Sequence, residues 1–459
     1  MADDYEALQE RILITKQPAK KKLQHVDVDG FADDYKAFMN ANKTEREVIR
    51  SIVETAEDHG FNDLRDVNEL QHGGLYYRND RNKNLALLRY GGLDEIRGIA
   101  SHADSPCLHL KPYPLHEKHK LATFKTHYYG GVKKYQWLNI PLSLRGVAYT
   151  QDDEKITFTL GEADDEPVFT IPDLLPHLAK EQLKKEAKDV VEGEQLNPIV
   201  GSEAIDDEEI EQQIKLRTAE ILHDEYGLIE EDLISAELSF VPAGPPRDVG
   251  FDHSLITAYG HDDRSSVYTS MRAVLDADAS ATQLALFYDK EEIGSTGTTG
   301  AQNQFWTSLY EDLIELSGTT LRTTQLWERS SVLSADVTSA IDPNFPDAHD
   351  ETNANRLGYG VAVEKYGGHG GKYGTQDASA EFTTNLLHLF NEHNVPWQTG
   401  ENGKIDLGGG GTIAKFIAQH GAEVIDIGIP VLGMHAPFEL ASKDDLYSAY
   451  LAYKTFYEG

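Results

Sequence analysis

Thr282-Gln283-Leu284-Ala285-Leu286-Phe287-Tyr288 carries no charge, and it breaks at once into Asp289-Lys290-Glu291-Glu292-Ile293-Gly294-Ser295. The first run reads as a strand buried on both faces, the pattern of a central strand in an α/β sheet. The second run is what stands at its end. Two adjacent acids beside a buried strand repel one another unless a cation stabilises them. Consecutive side chains near a strand end point in different directions, so one acid can bind a cation while its neighbour faces a water. Gly294 and Gly297 suit a tight turn after them.

Working outward, the same arrangement of a hydrophobic segment followed by a short polar group recurs. His102-Ala103-Asp104 ends a strand read over 96–102, Ser334-Ala335-Asp336 and Gly433-Met434-His435 follow later, and Asp262-Asp263-Arg264 stands just before a helix read over 265–275. Each has a plainer reading. A lone histidine is more often a satisfied core residue, and an aspartate before a helix is an N-cap. Together they make a set of two histidines and several carboxylates suited to Zn²⁺, Mn²⁺ or Co²⁺. In His102-x-Asp104 the carboxylate can hold the imidazole in one tautomer. With a spare glutamate, the set points to hydrolysis by metal-activated water.

Around these groups strands and helices alternate. Thr44 and Glu47 form a capping-box pair, Ile49, Ile52, Val53 and Ala56 make a helical stripe, and Gly60 stops it. Strands are expected over 85–90, 96–102, 282–288 and 424–429, and helices over 265–275 and 300–315. The fold class is α/β, a mixed sheet with helices on both faces. The stretch from Pro106 to Gly250 differs. Short antiparallel strands are expected over 139–149, 156–160 and 168–171, and helix-like charged runs over 181–194 and 204–226. It reads as an inserted β-rich domain, 106–250, interrupting a catalytic domain of 1–105 and 251–459, with Pro242, Gly244, Pro245 and Pro246 as the return linker. Gly408–Gly411 lacks the Gly-Lys-Ser/Thr ending of a phosphate loop and reads as a tight turn.

At 459 residues the chain is long enough for two domains, and 40% hydrophobic residues suffice for packed cores. The net charge of -35, from 42 Lys+Arg against 77 Asp+Glu, argues against nucleic-acid or anionic-membrane partners and favours solubility of a large assembly. The short run Lys20-Lys21-Lys22 reads as exposed. A single cysteine, Cys107, rules out an intrachain disulfide and fits a reducing cytoplasm. No apolar run is long enough to span a bilayer, and Met1-Ala2-Asp3-Asp4-Tyr5 is acidic where a signal peptide is basic.

These residues resemble the aspartyl aminopeptidase and aminopeptidase I family of dinuclear-metal aminopeptidases, and its bacterial branch in particular. The matching segments are Ser101–Leu108, Tyr129-Gly130-Gly131 through Trp137, Leu142-Ser143-Leu144, Asp262-Asp263-Arg264, Glu291–Ser295, Ala335-Asp336 and Met434-His435. Their order and the position of the insertion agree as well as the residue types. The resemblance implies two divalent metal ions per subunit, zinc first, with cobalt and manganese as alternatives. It makes Asp262 the bridge, His102 and Asp336 the other ligands of one metal, and Glu292 and His435 those of the other. Glu291 becomes the general base to a bridging hydroxide, Asp104 the residue that orients His102, and the bond after Asp262 a cis peptide. It implies peptide substrates, an insert that serves as lid and dimerisation domain, and dimers that assemble into a tetrahedral dodecamer. Eukaryotic members carry histidine where this chain has Tyr135 and Ser339, so a preference for acidic N-terminal residues is not expected. Within Tyr366–Tyr373 the glycines allow close approach, and His369 and Lys372, with Tyr135, are candidate substrate contacts.

Two other functions compete. A deacylase of small N-acyl substrates could use the same metals, and an acidic scaffold would use none. A glycosidase built on Glu291 and Glu292 fails, because its carboxyls must flank a sugar bond at roughly 5–9.5 Å and sequence neighbours seldom do.

Overall fold

The structure is a computed structural model describing residues 8–459 apart from positions 10, 11, 15, 208, 279 and 280. The acidic N-terminal pentapeptide lies outside the described residues. A nine-stranded mixed sheet forms the centre, in the order Asn62–Asp63, Leu75–Asp80, Asn84–Arg89, Thr282–Tyr288, Ile96–His102, Ser330–Ala335, Glu423–Gly428, Val361–Glu364 and Trp397–Thr399. The four strands from Thr282–Tyr288 to Glu423–Gly428 run parallel, with Tyr288 beside His102 and Ser334 beside Ala100. The carboxyl ends of these strands therefore open on one edge, where open α/β sheets bind ligands.

Both faces of the sheet are covered, which is why Thr282–Tyr288 and Ser330–Ala335, two of its central strands, carry no charges. Ala285 and Phe287 join the core under helices Val28–Ala41, His261–Asp276 and Lys443–Glu458. Leu284, Leu286 and Tyr288 join the opposite core, under Phe305–Ser317 and Thr323–Glu328. The period-two alternation along one strand thus serves two cores. Helix Glu45–Asp58 starts on the capping box read from Thr44 and Glu47.

A six-stranded antiparallel sheet, in the order Lys155–Leu160, Leu142–Tyr149, Glu237–Pro242, Cys107–Lys118, Leu121–Tyr129 and Ile199–Gly201, carries its own core of Leu108, Phe124, Trp137, Leu144, Phe158 and Phe240. A small third sheet joins Arg247–Val249, Leu255–Ala258, Glu439–Ser442, Pro430–Leu432 and Thr338–Ser339.

The structure corrects several expected elements. The charged run 181–194 forms only the short turns Gln182–Lys184 and Gly193–Gln195. Leu183 is 73% exposed and the run reaches the core near its end, at Val191, so little burial along it offsets the cost of helix nucleation. The helix expected over 204–226 begins at Gln213, and 168–171 makes only isolated bridges through Phe169 and Thr170. The helix expected from Gly300 begins at Phe305, whose N–H donates to the Asn303 side chain at 2.8 Å.

Candidate metal centre

Strand Ile96–His102 delivers His102 at its last residue, and Ser330–Ala335 delivers Asp336 one residue past its end. After Thr282–Tyr288, Glu291 and Glu292 sit in a one-turn helix flanked by Lys290 and Gly294, both in the left-handed region at φ 68° and 88°. Asp262 stands at the kinked start of helix His261–Asp276, and the Asp262–Asp263 peptide is cis. His435 lies in the loop before strand Glu439–Ser442.

These side chains converge. His102 Nε2 lies 3.2 Å from Asp262 Oδ1 and 3.6 Å from Asp336 Oδ1. His435 Nε2 lies 3.1 Å from Asp262 Oδ2 and 3.4 Å from Glu292 Oε2. The two oxygens of Asp262 therefore face different triads, His102–Asp262–Asp336 and Asp262–Glu292–His435, and the donor atoms of each lie within 4.8 Å of one another. Glu292 Oε1 is buried and, among the described residues, meets no proton donor. Lone pairs facing lone pairs in a buried space fit cations, and an imidazole–carboxylate set fits zinc.

Outer contacts fix the geometry. Asp104 Oδ1 lies 3.2 Å from His102 Nδ1 and accepts the Glu291 N–H at 3.1 Å. Asp104 Oδ2 accepts the Tyr129 hydroxyl at 2.7 Å and the Glu292 N–H at 3.2 Å. With its proton on Nδ1, His102 presents a lone pair at Nε2 to Asp262 and Asp336. Glu291 belongs to neither triad. Burial pushes its carboxyl up to about 8; the His102 ring opposes this, and the carboxylates of Asp336, Asp104 and Asp262 add to it. Burial alone would raise Asp262; when the His102 and His435 rings carry a proton on Nε2 as well as Nδ1, their hydrogen bonds hold it below the usual carboxylate range.

Other contributors take no role from the sequence, although Asp263, Arg264, Ser105 and Gly131 lie within its motifs; Glu439 has no signal at all. Glu439 accepts the backbone N–H of Asp262 at 2.9 Å and of His435 at 2.7 Å. Asp263 accepts the His102 N–H at 3.2 Å, and the Gly131 carbonyl lies 2.8 Å from His435 Nδ1. A lone glutamate four residues after a histidine has no recognisable ligand spacing. The buried Arg264 reaches the carbonyls of Tyr259 and Lys43 and the hydroxyl of Ser105, which in turn donates to the Asp262 carbonyl at 2.6 Å. Another buried ring, His261, is a satisfied core histidine, held by the Tyr35 hydroxyl and the Ile256 carbonyl.

The substrate candidates make no hydrogen bond with this cluster among the described residues. His369 and Lys372 line a separate 230 Å³ cavity, with Lys372 Nζ 3.0 Å from Asp377 and 3.6 Å from the Tyr366 ring centre. Tyr135 is 45% exposed on the turn Lys134–Trp137.

The sequence model of the Aminopeptidase I zinc metalloprotease (M18) family matches residues 38–457. The chain belongs to the M18 family. A probable M18 family aminopeptidase 1 of Thermotoga neapolitana is 44% identical over 454 residues, spanning 96% of this chain and 99% of that one. The crystal structure of an M18 aminopeptidase from Thermotoga maritima superposes with a TM-score of 0.93 at 42% identity, covering 97% of this chain and 99% of that chain. A dodecamer from S. cerevisiae, mApe1, shares the fold at a TM-score of 0.74 and 21% identity over 93% of this chain and 96% of that one. This M18 protein is thus a metal-dependent aminopeptidase, a hydrolase of peptide bonds. Among the described residues no helix is long and apolar enough to cross a membrane.

Proposed function

We propose that the chain releases N-terminal amino acids from peptides at a centre for two divalent cations, one held by His102, Asp262 and Asp336 and the other by Asp262, Glu292 and His435. The observation that carries this is the division of the two Asp262 oxygens between His102 and His435. Cations bound there supply Lewis-acid polarisation of the scissile carbonyl and acidification of water, with zinc ahead of cobalt and manganese. Glu291, close to both triads and in neither, takes the proton from the attacking water and returns it to the leaving amine. Asp104 keeps the His102 proton on Nδ1, so that Nε2 stays a ligand. Elemental analysis of the purified protein tests the reading: two equivalents of a transition metal per chain are expected, and none under metal-replete conditions would overturn it.

The region 106–250 we propose as an inserted lid and dimerisation domain. Its own core and its exposed Leu174, Leu175, Leu178 and Leu183 support this. The S. cerevisiae relative is a dodecamer, and the reading extends to dimers building a tetrahedral dodecamer in a reducing cytoplasm. Light scattering showing a fully active monomer would refute it. Tyr135, His369 and Lys372 belong to the same proposal as substrate contacts. With Tyr135 and Ser339 in place of histidines, cleavage should extend beyond N-terminal Asp and Glu. Strict acidic preference across a panel of aminoacyl amides would refute that part.

A further inference from the structure

The antiparallel pairing of the inserted sheet has a consequence at the metal centre. Strand Cys107–Lys118 leaves directly from the His102-x-Asp104 group and returns as Leu121–Tyr129, in a register that sets Tyr129 opposite Cys107. The end of the hairpin therefore arrives back beside Asp104. There the Tyr129 hydroxyl donates to Asp104 Oδ2 at 2.7 Å, on the carboxylate that faces His102 Nδ1. Two residues later the Gly131 carbonyl lies 2.8 Å from His435 Nδ1. Between them Gly130, at φ 75°, passes so near Glu292 that a Cβ there would lie 3.1 Å from Oε2. A Cβ on Gly131 would lie 3.2 Å from His435 Nδ1. Glycines at both positions let the backbone make this approach.

We propose that the turn Tyr129-Gly130-Gly131 is a positioning element for both triads at once, through Asp104 on the His102 side and directly on the His435 side. The insert then organises the metal centre of its own chain, in addition to any role in assembly. An imidazole ligand whose far nitrogen is hydrogen-bonded is fixed in tautomer and orientation, and losing such a partner weakens metal binding about 10–100-fold. Tyr129 and Gly131 serve different histidines, so their substitutions should weaken different ions.

This rests on the two-cation reading above, and the test separates the two. Zn²⁺ is titrated calorimetrically into the metal-free full-length chain and into Tyr129→Phe, Gly131→Ala and the exposed-neighbour control Tyr128→Phe. His435→Ala identifies the step that belongs to the second triad. Tyr129→Phe should weaken the other step, and Gly131→Ala this one, each about 10–100-fold, while Tyr128→Phe titrates as the parent. Melting of the metal-free proteins should be unchanged. A parent that binds two ions, with both variants matching it, overturns the inference alone. So does equal weakening of both steps together with a lowered metal-free melting temperature, which marks general loosening. A parent that binds fewer than two ions overturns the two-cation reading and this inference with it.

Discussion

His102 and His435 stand on opposite sides of one aspartate, and the fold holds them differently. The His102 side chain is 1% exposed, ends a central parallel strand, and has a carboxylate, Asp104, at its Nδ1. The His435 side chain is 31% exposed, sits in a loop, and among the described residues has a backbone carbonyl, that of Gly131, at its Nδ1. One proposed ligand is built into the sheet, and the other is assembled from a loop and a hairpin turn of the second sheet. Two chemically equal donors thus belong to sites of unequal rigidity, and the His435 side should release its ion first.

The largest effect should come from removing what the two sides share. Asp262→Asn is expected to lose both ions and all measurable turnover, by elemental analysis and peptide assay; a variant retaining two ions would break the symmetry of the bridge. Glu291→Gln tests the group that belongs to neither side. Both ions should stay while kcat falls about 10²–10⁴-fold, and near-normal kcat would remove Glu291 as the base.

Graded dialysis against a chelator sharpens the comparison itself. One ion should leave well before the other, and His435→Ala should resemble the one-ion intermediate. Simultaneous loss, or early loss from the His102 side, would contradict the contrast in rigidity. Asp104→Asn should weaken the His102-side ion about 10–100-fold and the His435-side ion less, through the Glu292 N–H that Asp104 also accepts. Smallest is Lys372→Ala, in the separate cavity. If Lys372 contacts substrate in ground and transition state alike, KM rises a few-fold with kcat unchanged; an unchanged KM would remove it from the substrate contacts.

Much of this was legible in the sequence because the signals are local. A hydrophobic run ending in polar residues marks a covered strand and its mouth, and the structure has Thr282–Tyr288 and Ile96–His102 at the expected bounds. The capping box at Thr44 is equally local. Where a signal was composition alone it failed, as in 181–194, whose charges suited a helix but which reaches the core near its end, at Val191, while Leu183 stays exposed. The roles of His369 and Lys372 were read from glycine content, which states that a backbone can come close and not what it comes close to.

By itself the sequence determined the strand ends, the residue types gathered there and the family resemblance, since period-two burial and motif order are written along the chain. Only the tertiary structure decided which groups meet. Tyr129 reaches Asp104 across 25 residues, Glu439 reaches Asp262 across 177, and Gly131 reaches His435 across 304. Hydrogen bonds of that kind are set by sheet register and by the packing of one sheet against another. No spacing in the sequence encodes them, because the hairpin and the loop that supply the partners are positioned by core packing among residues distant from their partners along the chain.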